Sequence, residues 1–235
     1  MNNYTVHIYS ILPATRLMCV HYENIKNKAR LKEHFDVEIA TELGKDDVWP
    51  GYQAVMVHKH PHGDVGDEAV PPREALNASF GLIPHWATDN KLAKSTYNAR
   101  SETVAEKPSF RDAWKRAQHC IIPAEAFYEP DWRSGKAVSA RIGRADGLPM
   151  GIAGLYSQWK DPQGLLTHSF TMLTINADHH PFMSQFHKPT DEKRMVVILP
   201  EDSYQAWLEA PVGKSMEFMR SCRAENLVIA PTTRT

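Results

Sequence analysis

Short apolar runs bounded by turn residues dominate the middle of the chain. Residues 54–57, 75–82, 119–122, 126–128, 137–142, 150–159, 169–176 and 195–199 each carry the β-branched and aromatic content of a strand. Ser134-Gly135, Asp146-Gly147 and Asp161-Pro162-Gln163-Gly164 separate several of them as hairpin connections would. Helical spacing is confined to a few stretches. Ile25, Ala29, Leu31 and Phe35 predict an amphipathic helix over residues 24–35, and Phe110, Ala113 and Trp114 predict another over 109–117 with Arg111, Lys115 and Arg116 on its polar side. Pro200-Glu201-Asp202-Ser203 opens a helix through Leu208, a second helix is predicted over 215–221, and a last strand over 227–230. Strands clustered in the middle with helices at intervals predict an α+β fold, not alternating α/β.

The chain has 235 residues with 42% hydrophobic content, enough for a substantial core in one domain. Its net charge is -1, so there is no global basic footprint of the kind a duplex-coating protein carries, and a nucleic-acid site would have to be a local groove. The three cysteines, Cys19, Cys120 and Cys222, are too scattered for a disulfide framework or a zinc ribbon, which favours a reducing, cytoplasmic setting. Residues 1–17 lack the basic start and uninterrupted apolar core of a secretory signal, and no run approaches the roughly 20 apolar residues of a membrane span. His58, His60 and His62 alternate, but Pro61 and Gly63 among them favour a surface turn over a metal site, and no cofactor is called for.

The most informative stretch is Ser95-Thr96-Tyr97-Asn98-Ala99-Arg100-Ser101-Glu102-Thr103. Asn98, Arg100 and Glu102 would share a face if extended, although Ser101 followed by an acidic residue suits a loop entering the helix at Phe110. Taken alone, the three read equally well as a cap, a solvated cation and a first-turn acid.

Other motifs change that reading. Met18-Cys19, Gly81-Leu82-Ile83-Pro84-His85-Trp86, the Asn98–Arg100 motif, the run from Cys120 through Tyr128-Glu129, and His187 ahead of Arg194-Met195 occur in the order of the SRAP family, the SOS-response-associated peptidase-like proteins. From about Met18 onward the sequence resembles that family. The resemblance implies a curved, barrel-like, mostly antiparallel sheet with flanking helices. It also implies covalent capture of abasic sites in single-stranded DNA by an N-terminal cysteine, carried out by a cytoplasmic monomer that joins the nucleoid when bound to DNA. On this reading residues 1–18 are an extension, a mis-assigned start or a removed segment, and 19–235 form a single domain.

Cys19 has two readings. As an internal residue it is a small buried hydrophobe, the usual fate of a free cysteine. As a first residue it presents an α-amine and a thiol on adjacent carbons, able to attack the aldehyde of an open abasic sugar and close a thiazolidine. The resemblance further assigns Glu129 to proton transfer and His187 to proton donation near neutrality, and has Asn98 hold the amine or nascent imine. Arg100 would grip a flanking phosphate, and Pro84 with Trp86 would form an apolar wedge or stacking platform. Glu125 competes with Glu129, and His179 and His180 with His187. Three departures from the family stand out: Val20-His21 where an arginine is expected, Pro130 where a tryptophan is expected, and Lys188–Lys193 inserted before Arg194. Two other classes remain: a cysteine-dependent peptidase or hydrolase using Cys19, His187 and Asn98, and a non-catalytic single-strand-binding protein.

Overall fold

A computed structural model describes residues 20–63 and 69–231. Cys19 and residues 1–18 lie outside the described residues, as do 65–68 of the predicted loop before Arg73. In chain order the elements are β1 (Tyr22–Asn24), α1 (Lys28–Phe35), β2 (Asp47–Val48), β3 (Gln53–Lys59), β4 (Arg73–Phe80), β5 (Asn98–Arg100), α2 (Arg111–Lys115), β6 (His119–Asp131), β7 (Val138–Arg144), β8 (Met150–Lys160), β9 (Leu166–Asn176), β10 (Arg194–Val196), β11 (Ile198–Leu199), α3 (Tyr204–Glu209) and β12 (Leu227–Ile229).

The sheet closes on itself. β8 pairs with β9, β9 runs parallel to β4 through Phe80↔Phe170, β4 pairs with β3, β3 with β6, and β6 with β8, completing a five-strand barrel. Phe80, Phe170, Tyr22, Met172 and Ile122 are fully or almost fully buried in its core. Closure requires close approach at Gly154 of β8, where a Cβ would stand 2.4 Å from Ile122 Cδ1 and 2.6 Å from the Thr171 carbonyl oxygen. The remaining strands extend the wall, with β6 carrying β1 and then β2 at one edge and β7 and β12 at another.

The predicted α+β class and barrel-like sheet are both observed, and the boundaries moved for identifiable reasons. The first helix starts at Lys28, not residue 24, because Asn24 belongs to β1, where its amide donates to the Leu43 carbonyl at 2.5 Å, and Asn27 is the cap that accepts from the Arg30 N–H at 2.9 Å. Two short predicted strands, 119–122 and 126–128, are one 13-residue strand, β6. Pro123, which cannot donate to a ladder, lies within that strand. It sits close to where β6 changes partners, pairing with β8 through Ala124 and with β7 from Phe127 onward. The predicted strand 195–199 divides into β10 on β9 and β11 on β8. The predicted helix over 215–221 is instead a 3-10 segment, Val212–Phe218.

Candidate active site

Glu129 lies near the end of β6, opposite Ala140 of β7, and is 2% exposed. His187 reaches it from a distant part of the chain. An isolated bridge ties Phe186 to Asp131, the His187 N–H donates to the Pro130 carbonyl at 2.8 Å, and the imidazole Nε2 stands 3.4 Å from Glu129 Oε2. Nε2 also lies 3.1 Å from the Arg194 carbonyl oxygen. A carbonyl can only accept, so this contact places a proton on Nε2, donated to the Arg194 carbonyl, with Glu129 Oε2 beside the same nitrogen. The residue is held at φ 62°, a left-handed conformation that costs a non-glycine residue of order 1 kcal/mol and is retained where the surroundings fix it.

Asn98 and Arg100 belong to β5, which runs parallel to β9 with Asn98↔Met172 and Arg100↔Thr174. The expected loop into a helix is therefore a strand, and alternation puts the two side chains on one face. Asn98 is buried. Arg100 donates to Glu192 at 2.7 Å, and Glu192 also accepts from Arg194 at 2.9 Å. Arg194, 2% exposed, grips Glu102 through two bonds of 2.8 and 2.9 Å and donates to the Thr174 carbonyl at 2.8 Å. Burial, the largest single influence, would lift the Glu102 carboxyl, but the hydrogen bonds and charge of Arg194 together with backbone hydrogen bonds outweigh it and hold that group below the ordinary carboxylate range. Glu192 is lowered in the same way: burial pushes up, and Arg100, Arg194 and Asn176 pull down further. An ionic clasp thus connects the β5 motif to the residue whose carbonyl orients His187.

Pro84 is buried and Trp86 is 48% exposed in the loop after β4. Gly81 starts that loop at φ 113°, with its N–H donating to Phe170 and a would-be Cβ only 2.0 Å from the Ala93 carbonyl oxygen, so no other residue fits there. The competitors have structural partners. Glu125 accepts from Arg30 Nε at 2.9 Å and from the Lys26 N–H at 3.1 Å, and His180 bonds the Cys222 carbonyl at 2.8 Å and the Met183 N–H at 3.0 Å. Among the described residues no group of three His, Cys, Asp or Glu side chains is arranged to hold a metal ion, and no helix is long and apolar enough to cross a membrane. A cavity of about 910 Å³ lies elsewhere, between Arg144, Leu199, Phe218 and Cys222, and shares no lining residue with this site.

The family model described as SOS response associated peptidase (SRAP) matches residues 18–235. The chain belongs to the SRAP family. A crystal structure of a Bordetella bronchiseptica protein matches with a TM-score of 0.80 and 43% identity, over 89% of this chain and 97% of that one. The Bacillus subtilis (strain 168) abasic site processing protein YoaM is 37% identical over 145 residues, 60% of this chain and 59% of its own length. The Gallus gallus abasic site processing protein HMCES is 26% identical over 187 residues, 68% of this chain and 53% of its own length. The chain thus spans little more than half the length of these two curated relatives.

The departures from the SRAP pattern leave the Glu129–His187 pair together. Pro130 lacks an N–H, but its carbonyl is the atom that anchors His187. The inserted loop folds back through Lys193 Nζ to the Lys188 carbonyl at 2.7 Å and Lys193 N–H to Asp178 at 2.8 Å, and it supplies Glu192 to the clasp. His21, in place of the arginine, is buried between the rings of Trp49 and Tyr128, with Nε2 2.6 Å from Asp47 Oδ1. Nearby, Glu23 accepts from Arg141 Nε at 2.7 Å and from the Tyr128 hydroxyl at 2.5 Å. The sequence reading missed Arg194 as a buried ion and missed this aromatic stack. For Arg194 the signal was available, since an acid, Glu102 or Glu192, stands within two residues of Arg100 and of Arg194.

Proposed function

We propose that this SRAP protein recognises abasic sites in single-stranded DNA and captures them covalently through Cys19 as its first residue. The observation that carries the reading is the buried Glu129–His187 pair, a carboxylate beside a proton-bearing imidazole, in a chain whose relatives are named abasic site processing proteins. The Cys19 α-amine attacks C1′ of the ring-opened sugar to give a carbinolamine. Loss of one water leaves an imine, and the thiol then adds to the imine carbon while its proton moves to nitrogen. Glu129 handles the protons of dehydration and closure, and His187, whose Nε2 stands 3.4 Å from Glu129 Oε2, resupplies them and assists ring opening. Asn98 holds the amine, Arg100 exchanges Glu192 for a phosphate, and Pro84 with Trp86 meets an unpaired base.

On this reading residues 1–18 precede the working chain, residues 19–235 act as one domain and one monomer, and the setting is the cytoplasm and nucleoid. Self-cleavage ahead of Cys19 is one route to the free amine, in keeping with the peptidase in the family's description. Intact mass of untagged protein tests it. A chain starting at Cys19 that forms a stable adduct with an abasic oligonucleotide is expected, and Cys19→Ala should lose that adduct while keeping an imine that borohydride traps. An equally stable adduct from Cys19→Ala sinks the thiazolidine.

A further inference from the structure

β2, β1, β6 and β7 lie side by side, and their registers place four side chains in one row. Tyr22 pairs with both Val48 and Phe127, so His21 falls opposite Trp49 on one side and opposite Tyr128 on the other, and Tyr128 pairs with Arg141. Adjacent strands are about 4.8 Å apart, close to the thickness of a stacked ring pair. The rings accordingly stack, Trp49 on His21 at 4.3 Å and 9° and His21 on Tyr128 at 4.1 Å and 7°. Arg141 and the Glu23 carboxylate close the row at β7. At the other end β2 is the last strand of the sheet, so no further strand covers Trp49, which is 41% exposed although His21 occupies one of its faces.

We propose that the outer face of Trp49 is a stacking platform for a nucleobase next to the abasic sugar. The inference rests on the single-strand reading above and assigns it a base-contacting residue. Successive residues of a strand face opposite ways, so Tyr128 and the stack stand on the other side of β6 from Glu129. The row therefore serves a neighbouring nucleotide, not the reacting sugar. A base continues the row because it presents a flat π-face at ring spacing, and such stacking tolerates any sequence. A backbone contact is available beside it: Tyr52, whose N–H donates to the Trp49 carbonyl at 2.9 Å, is exposed and carries Lys45 Nζ 4.3 Å above its ring. If Trp49 only shielded His21, binding would be indifferent to the neighbouring bases.

The test uses the chain beginning at Cys19 and single strands containing one tetrahydrofuran, an abasic analogue without an aldehyde, so that binding stays non-covalent. A second strand replaces the bases on both sides with tetrahydrofuran as well. Fluorescence anisotropy should show Trp49→Ala weakening binding to the first strand by about 5- to 100-fold, with the slope of log affinity against log salt unchanged. Trp49→Phe should keep most of the affinity. The parent should lose a similar factor on the second strand, where Trp49→Ala costs nothing more. If Trp49→Ala does not fold, Trp49→Leu against Trp49→Phe makes the same comparison of bulk with a π-face. Equal losses on both strands, or no loss, overturn the Trp49 platform alone. A parent that binds neither strand overturns the single-strand reading and the platform with it.

Discussion

Replacing Glu129 by glutamine keeps the shape of the side chain and removes its capacity to exchange a proton. If the carboxylate handles protons in imine formation, the single-turnover rate of adduct formation should fall by about 10²–10⁴-fold, a barrier increase of roughly 3–5 kcal/mol. Stability should behave differently. At 3.4 Å a charged pair with His187 would attract by about 5 kcal/mol at an effective dielectric constant near 20, but burying the two ions costs several kcal/mol each, so the pair contributes little net. His187 can remain neutral in the variant, because its Nε2 proton already has the Arg194 carbonyl as acceptor. Glu129→Gln is therefore expected to change stability by less than about 1 kcal/mol, a Tm shift within about 4 °C for a chain of this size. A structural ion pair predicts the reverse, with about 3–5 kcal/mol lost and the rate falling only as protein unfolds. The assay is adduct formation on an abasic oligonucleotide under enzyme excess, paired with thermal melting of the same preparation. A parental rate, or a Tm loss above about 6 °C with the remaining folded protein fully active, would refute the assignment.

Two further predictions concern the frame around the site. Arg194→Met removes a buried cation that holds Glu102, Glu192 and the Thr174 carbonyl; both carboxylates can regain some water, so the expected loss is about 2–3 kcal/mol, read as a Tm decrease of roughly 4–12 °C. An unchanged Tm would count against the clasp. His119 is buried on the Trp207 ring at 3.9 Å with Ser215 at 3.0 Å, and burial pushes its pKa down to about 4. The unfolded chain then takes up this proton first, so its contribution is intact above about pH 6.5 and declines as pH falls toward 4, by about 3 kcal/mol at most. In urea melts the stability gap between parent and His119→Phe should shift in the variant's favour across that interval; a constant gap would mean that His119 does not titrate there.

The sequence by itself determined most of the longer strands, the first helix and the identity of the chemical groups. Alternating apolar runs with Gly and Pro punctuation specify strands locally, and the separate motifs around Asn98, Glu129 and His187 are readable because residue type is a one-dimensional property. Which strands pair is not local. Barrel closure through β6 and β8, the parallel contact of β4 with β9, and the switch of partners near Pro123 all depend on contacts between distant segments. Tertiary structure alone therefore decided that Asn98-Ala99-Arg100 is a strand on β9, that Glu125 is tied to Arg30 while Glu129 meets His187, and that Glu102 and Glu192 converge on a buried Arg194. The stack of Trp49, His21 and Tyr128 is the clearest case. His21 is 28 positions from Trp49 and 107 from Tyr128 in sequence, and only register across β2, β1 and β6 brings the rings to stacking distance.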